Sequence, residues 1–428
     1  MQTRHPARTL ALVTAIAALA AVPYATARAG AAWLTESGGA DMGLAGAGRT
    51  ALALDPAALS ANPASLAGLA GTQFTGAYLP VHLDFDFEGG SAAPGRAHNR
   101  AGTTAAGSAY ASWNSGPVTL GLGAYTYAGL GLDYGRQWAG RYVVERASLD
   151  TLNVAAAAGW RVNDRLDVGA SVAAQRAAVS GALAVANSPA FYGPPAGLPD
   201  GRVSLDGSHW APGGSAGLRW HANDVTTIGL AWTAPVSQEV SLDVRTDGLH
   251  PALAAILPAR SPGRLDATVP QQVSLGLAHR LGPATTLGAG VNWQDWSRFG
   301  DAQVEVLGRG VRLFPEGLED TWGASFGLRH AFGADWAAST GVAYDASPAR
   351  HGTVPACFPV ADQWRASAGL ERRLSRHQDL RVALSMIRQG DARIAEPVSP
   401  WPLPGPGVSG RIGSSRALVL SVASDFAL

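Results

Sequence analysis

From residue 72 to the end of the chain, apolar side chains recur at every second position, the period of a strand whose two faces meet different surroundings. Over residues 166–174 one face reads Leu166, Val168, Ala170 and Val172, and the other Asp167, Gly169 and Ser171. Over residues 285–293, Leu287, Ala289, Val291 and Trp293 alternate with Thr286, Gly288, Gly290 and Asn292. Near the C-terminus Leu418, Leu420 and Val422 alternate with small or polar partners. Apolar side chains on one face and small or polar ones on the other, repeated many times, predict a barrel with lipid outside and small lumen-facing residues inside.

The connections set the strand number. Short turn signals fall at Ser115-Gly116, Asn163-Asp164, Asn223-Asp224, Gly282-Pro283, Gly333-Ala334 and Arg376-His377. Longer stretches rich in Pro, Gly and Asp lie between them, at 84–102, 134–140, 187–201, 247–268, 308–318, 348–362 and 396–413. Short and long connections alternate, so the fold class is all-β. The expected architecture is a transmembrane antiparallel β-barrel of about fourteen strands with both ends on the periplasmic side. The barrel is assigned to residues 72–428.

Ahead of the strands, residues 36–71 carry one device twice. Asp55-Pro56 and Asn62-Pro63-Ala64 each place a good N-cap before a proline suited to the first helical position. Each proline also pushes the preceding residue out of the helical region, so the chain bends there. Two short apolar turns in a glycine-rich segment are too small to fold alone and need walls. Residues 30–71 are therefore read as a partly helical hatch, or plug.

Residues 1–29 carry Arg4 and Arg8, an apolar run over 10–22 and an Ala27-Arg28-Ala29 cleavage signature, the marks of a secretory signal peptide. No later stretch is apolar for about 20 residues, so helical spans are excluded. Charged residues are only 15% of the chain and glycines number 53, against usual values of about 25% and about 7%, as expected where lipid-facing and lumen-facing residues dilute one another. Without Arg4, Arg8 and Arg28, 29 basic residues face 32 acidic ones, which excludes a nucleic-acid surface. All 32 basic residues are arginine, so a Walker-type phosphate loop and Schiff-base chemistry are excluded. Cys357 is the only cysteine, which leaves no intramolecular disulfide.

Gly46, the spacing from Asp55 to Pro63 and the Asn62-Pro63-Ala64 triplet together resemble the hatch of the FadL/TodX family. Those proteins are outer-membrane channels for long-chain fatty acids and other hydrophobic compounds. Residues 151–154 with 159–163, residues 341–348 and residues 362–369 are similar to strands of the same family, whereas the chain ends in Leu428 in place of the usual terminal aromatic. The resemblance implies passive uptake of a hydrophobic small-molecule ligand through the Gram-negative cell outer membrane. It also implies a monomer folded by the barrel assembly machinery among lipopolysaccharide and phospholipid. Outer loops three and four would form the collecting groove, with Phe191, Tyr192, Leu249, Leu253, Ile256 and Leu257 as candidates. The four in loop four fall at helical spacing, and their residues alone fit equally well a groove or simple packing on a neighbouring loop. A kinked third strand would release the ligand sideways, with Gly129 and Gly131 as candidates because glycine inside a strand often marks a bulge.

Other motifs point to no chemistry. Ser215 and Ser325 each stand in a G-x-S-x-G pattern, but neither precedes a helix as a nucleophile elbow requires. The ten histidines show no metal-ligand spacing, and no cofactor is implied. Many of the tryptophans, among them Trp138 and Trp296, are read as an interfacial girdle. The alternatives are an outer-membrane lipid-modifying enzyme (lipase or deacylase), which needs a Ser–His pair on one outward strand face, and a general porin for polar solutes, which needs opposed charges and no plug.

Overall fold

The computed structural model describes residues 37–90, 95–126, 129–188, 197–398, 406–413 and 415–428. The signal segment and the first residues of the hatch lie outside them. The wall has fourteen strands. They are β1 (Thr72–Asp84), β2 (Thr103–Ser115), β3 in two pieces (Val118–Tyr125 and Gly129–Asp133), β4 (Arg146–Asn163), β5 (Leu166–Val185) and β6 (Gly201–Asn223). Then come β7 in two pieces (Thr226–Thr233 and Val236–Asp247), β8 in two pieces (Arg260–Val269 and Gln272–Arg280), β9 (Thr285–Gln294) and β10 (Thr321–Phe332). The last four are β11 (Trp336–Asp345), β12 (Gln363–Ser375), β13 (Gln378–Gln389) and β14 (Arg416–Ala427). Successive strands pair antiparallel, and β14 returns to β1 with Phe74 opposite Phe426 and Asp84 opposite Arg416. Closure leaves the wall no free edge at that seam.

All six short turns fall where the sequence signals them. The outer connections differ more. The segment expected as a loop at 247–268 contains the first piece of β8, which pairs with β7 from Val236↔Val269 to Arg245↔Arg260. The region around 308–318 opens with a hairpin, Gln303–Val306 and Arg309–Arg312, whose first strand joins β8 at Gly263↔Val306. The described part of 396–413 contributes to a small sheet in which Ala392–Val398 and Pro406–Ile412 join Asp86–Gly89 and Arg96–His98.

Two levels of the wall have opposite polarity. Toward the periplasmic turns, Leu230, Trp232, Val172 and Leu420 are exposed while glycines and serines point inward, as a lipid-embedded barrel requires. Toward the outer loops, Val240, Leu242 and Leu265 are buried inside, and the outer face carries ion pairs such as Arg264–Glu239 at 3.1 Å and Arg260–Asp243 at 2.6 Å. That upper level stands in water and carries a hydrophobic core inside the barrel.

The hatch fills the lower level. Three short 3₁₀ turns, Ala40–Leu44, Pro56–Ser60 and Pro63–Gly68, lie against the wall, and at several points hatch backbone meets a wall glycine directly. A Cβ added at Gly169 would come 2.5 Å from the Pro63 carbonyl carbon, one at Gly159 2.7 Å from the Ala67 nitrogen, and one at Gly288 2.7 Å from the Ala47 oxygen. Gly229 and Gly341 face the Thr50 and Leu44 carbonyls even more closely. Glycine is the residue that permits such backbone approach.

This seat predicts that Gly169→Leu will force the hatch aside, since overpacking costs about 1–3 kcal/mol. Single-channel conductance and entry of small polar antibiotics should both rise. Gly76→Leu, on β1 with open space around it, is the control. Equal conductance in the two variants would show that the hatch does not rest on this glycine.

Candidate functional site

The hatch is locked by the two caps found in the sequence, each of which does more than cap. Asp55 Oδ1 accepts from Ala57 N at 2.7 Å, while Oδ2 accepts from Ala40 N at 2.6 Å and from Arg381 Nη1 of β13 at 2.6 Å. Arg381 also pairs with Asp425 of β14. Asn62 is fully buried. Its Oδ1 accepts from Ala64 N at 3.0 Å, and its Nδ2 donates to Thr50 O at 2.7 Å and to Leu218 O of β6 at 3.1 Å. On the same side of the barrel as Leu218, Arg219 of β6 donates to Ala51 O and Arg161 of β4 to Ala67 O, each at 2.9 Å, and both pair with the buried Asp167.

Above the hatch, in the upper level of the barrel, is an apolar cavity of about 200 Å³. Inward residues of β4 to β8 form its sides, including Leu149, Val179, Leu205, Val240 and Leu265. Outer-loop residues Phe299, Phe314 and Phe358 close it, their ring centroids 5.4–5.6 Å apart. Cys357 also lines the cavity. Burial and the nearby Glu396 carboxylate push its thiol well above the ordinary value.

The β3 strand is interrupted beside this cavity. Tyr125 pairs with Asn153 and Gly129 with Asp150, so four steps along β3 match three along β4, the count of a bulge. The first piece pairs with both β2 and β4, whereas the second pairs with β4 alone among the described residues. Gly129, Leu130, Gly131 and Leu132 are all buried, in contrast to the alternation of a lipid-facing strand such as β4. Leu130 lines the cavity. The Asp133 end is tied to the first outer loop, Arg100 N donating to Asp133 O at 2.8 Å and Asp133 N to Asn99 Oδ1 at 3.0 Å.

The other expected site residues are placed differently. Phe191 and Tyr192 lie outside the described residues. In loop four, Leu253 is buried in a cluster with Val203, Val240 and Val304, with Leu249 and Leu257 against it, while Ile256 points outward. None of these four lines the cavity; they form a second layer over its wall. Trp138 and Trp296 are not girdle residues: Trp138 stacks on Tyr134 at 4.1 Å, and Trp296 packs on Phe299 and Phe358 beneath the outer loops. Ser215 and Ser325 lie within β6 and β10. The cavity itself was missed by sequence reading. Its available signal was the phenylalanines at 299, 314 and 358 in two outer connections, the last of them within the apolar run 354–361.

The family model for outer membrane protein transport proteins (OMPP1/FadL/TodX) matches residues 20–426. The chain belongs to this family. A long-chain fatty acid transport protein of Salmonella typhi is 24% identical over 419 residues, covering 91% of this chain and 94% of that protein. Among solved structures, a Pseudomonas aeruginosa FadL homologue superposes with a TM-score of 0.79 at 21% identity, covering 93% of this chain and 99% of the other. The P. putida toluene transporter TodX gives 0.72 at 16% identity, covering 94% and 99%. The fourteen-stranded barrel and the membership together place this FadL/TodX protein in the outer membrane.

Two measurements test the site. Asn62→Asp keeps a good cap but turns a carboxylate toward the Thr50 and Leu218 carbonyls. It should loosen the hatch at least as much as Asn62→Ala, by about 2–4 kcal/mol, and raise conductance. A wild-type conductance in Asn62→Asp would mean that capping alone holds the segment. Separately, the raised Cys357 pKa keeps the thiol protonated between about pH 8 and 9, where free cysteine ionises. Maleimide labelling of the folded protein there should be far slower than after unfolding, and equal rates would place the thiol in water.

Proposed function

We propose that this outer-membrane protein is a passive channel for hydrophobic molecules, long-chain fatty acids or aromatic hydrocarbons. The ligand is gathered at the outer loops, held in the apolar cavity and released sideways between β2 and β3. The observation that carries this reading is Leu130: it lines the cavity from the piece of β3 that has no pairing with β2. The fatty acid and toluene transporters among the similar proteins support the same substrate class.

The straight route downward is unfavourable for such a molecule. The hatch fills it, and beneath the hatch is a polar cavity of about 720 Å³ lined by Asp55, Arg329, Glu371, Arg381 and Asp425. An apolar ligand there would take the place of water around charged groups, which is costly. Sideways release keeps it against apolar surface throughout. Gly129 and Gly131 let the second piece of β3 draw in from the wall, and side chains there would favour an extended strand that regains its neighbour.

In Gly129→Val with Gly131→Val, uptake of a hydrophobic substrate should therefore fall about tenfold or more. Folding should remain normal by heat-modifiable gel migration, and equilibrium binding of the same substrate should be retained. Undiminished uptake in the well-folded double variant would remove the lateral exit, and unchanged substrate binding in Val240→Asp, which puts a charge into the cavity wall, would remove the cavity as the holding site.

A further inference from the structure

Four polar side chains from neighbouring strands form a hydrogen-bonded row at the foot of the apolar cavity. His209 Nδ1 on β6 is 3.1 Å from Gln238 Oε1 on β7. Gln238 Nε2 is 3.3 Å from both the main-chain oxygen and Oε1 of Gln175 on β5. Gln175 Nε2 donates over 3.2 Å to Asn153 Oδ1 on β4.

The direction of the row is fixed at one atom. The main-chain oxygen of Gln175 can only accept, so the amide nitrogen of Gln238 must face it. Gln238 Oε1 is then turned to His209, which donates, and every amide passes its N–H toward β4. The row ends on Asn153 Nδ2, which has no hydrogen-bond partner although Asn153 is only 5% exposed. Leaving a buried donor unmade is unfavourable, and a row of aligned amides polarises its last member into a stronger donor.

The position of that donor matters. Gln238 lines the cavity, as do Ala177 and Leu149, the one two residues beyond Gln175 and the other four residues from Asn153. Asn153 itself stands opposite Tyr125, the last residue of the first β3 piece. Asn153 is not itself a lining residue, so the free N–H lies just behind the lining of the cavity floor, beside the break in the wall.

We propose that Asn153 Nδ2 binds the hydrogen-bond-accepting head of the ligand, a carboxylate above all, while the ligand's chain fills the cavity. The inference rests on the channel reading and adds a preference to it: a long-chain acid binds better than a hydrocarbon of equal length. The row holds only amides and one imidazole, and the charged residue that lines the cavity, Arg146, stands seven residues before Asn153 at the start of β4, so at this point the head is held by a polarised amide and released without breaking an ion pair. The row fixes the orientation of Asn153, and Asn153 supplies the contact.

The test measures displacement of an apolar fluorescent dye by decanoate and by decane, from the full barrel in lipid nanodiscs with empty discs subtracted. The wild type should favour decanoate about tenfold, the lower range for a hydrogen bond to a charged group. Asn153→Leu should abolish that preference and leave decane unchanged. Asn153→Asp keeps the shape and still accepts from Gln175, but presents a carboxylate to the ligand head; it should weaken decanoate more than Asn153→Leu does. An unchanged acid-to-alkane ratio in either folded variant overturns the head-group site. Failure of both ligands to displace the dye from the wild type overturns the channel reading itself, so the two failures are distinguishable.

Discussion

Backbone contact between the hatch and the barrel wall is the constraint on which the structure depends. A plug with side chains between itself and the wall would leave gaps through which water and ions pass. Here the carbonyls of Leu44, Ala47 and Thr50 and the backbone of residues 63–67 lie directly on lumen-facing glycines. The contact accounts for the glycines at 159, 169, 229, 288 and 341, since those wall positions meet hatch backbone where a Cβ would sit. It also explains why the hatch needs buried polar locks. Its carbonyls and amides are out of reach of water, and Asn62, Arg161 and Arg219 supply the partners that the short turns leave unmet.

A second constraint follows from height along the barrel. Where the wall crosses lipid, the apolar side chains must face outward and the lumen can be small or polar. Where it rises into water, the demand reverses, with Glu239, Asp243, Arg260 and Arg264 outside and Val240, Leu242 and Leu265 inside. The inversion places an apolar chamber above a polar, plugged one. A hydrophobic molecule that enters from the outer loops therefore meets a boundary at the hatch.

Legibility in the sequence followed the same division. Lipid-level strands were readable because their alternation matches a single rule, and Asn163-Asp164 or Gly333-Ala334 turns are short enough for their local chemistry to set them. The first piece of β8 was not, because Pro262, Gly263 and the charges of its aqueous face read as loop. The caps at Asp55 and Asn62 were visible, but their long-range partners Arg381 and Leu218 were not, since nothing local pairs residues so far apart in the chain. The cavity is assembled from six wall strands and three outer connections, so no single stretch announces it. For Leu253 the sequence left a groove and packing on a neighbouring loop equally open, because helical spacing shows which residues share a face, without showing what that face meets.

The hatch and the proposed exit are one mechanical unit. Leu59 and Leu66 of the hatch pack in a cluster with Tyr110 of β2 and Tyr125 of β3, the two tyrosines stack at 5.6 Å, and Tyr110 Oη donates to Ser37 O at 2.9 Å. Tyr125 ends the part of β3 that still pairs with β2. The segment that fills the axial path thus anchors the end of the part of β3 that pairs with β2, where the proposed exit begins. A hatch displaced from its seat would withdraw the packing that holds Tyr125 in register, so axial leakage and loss of lateral release should arise together from a single loosened contact.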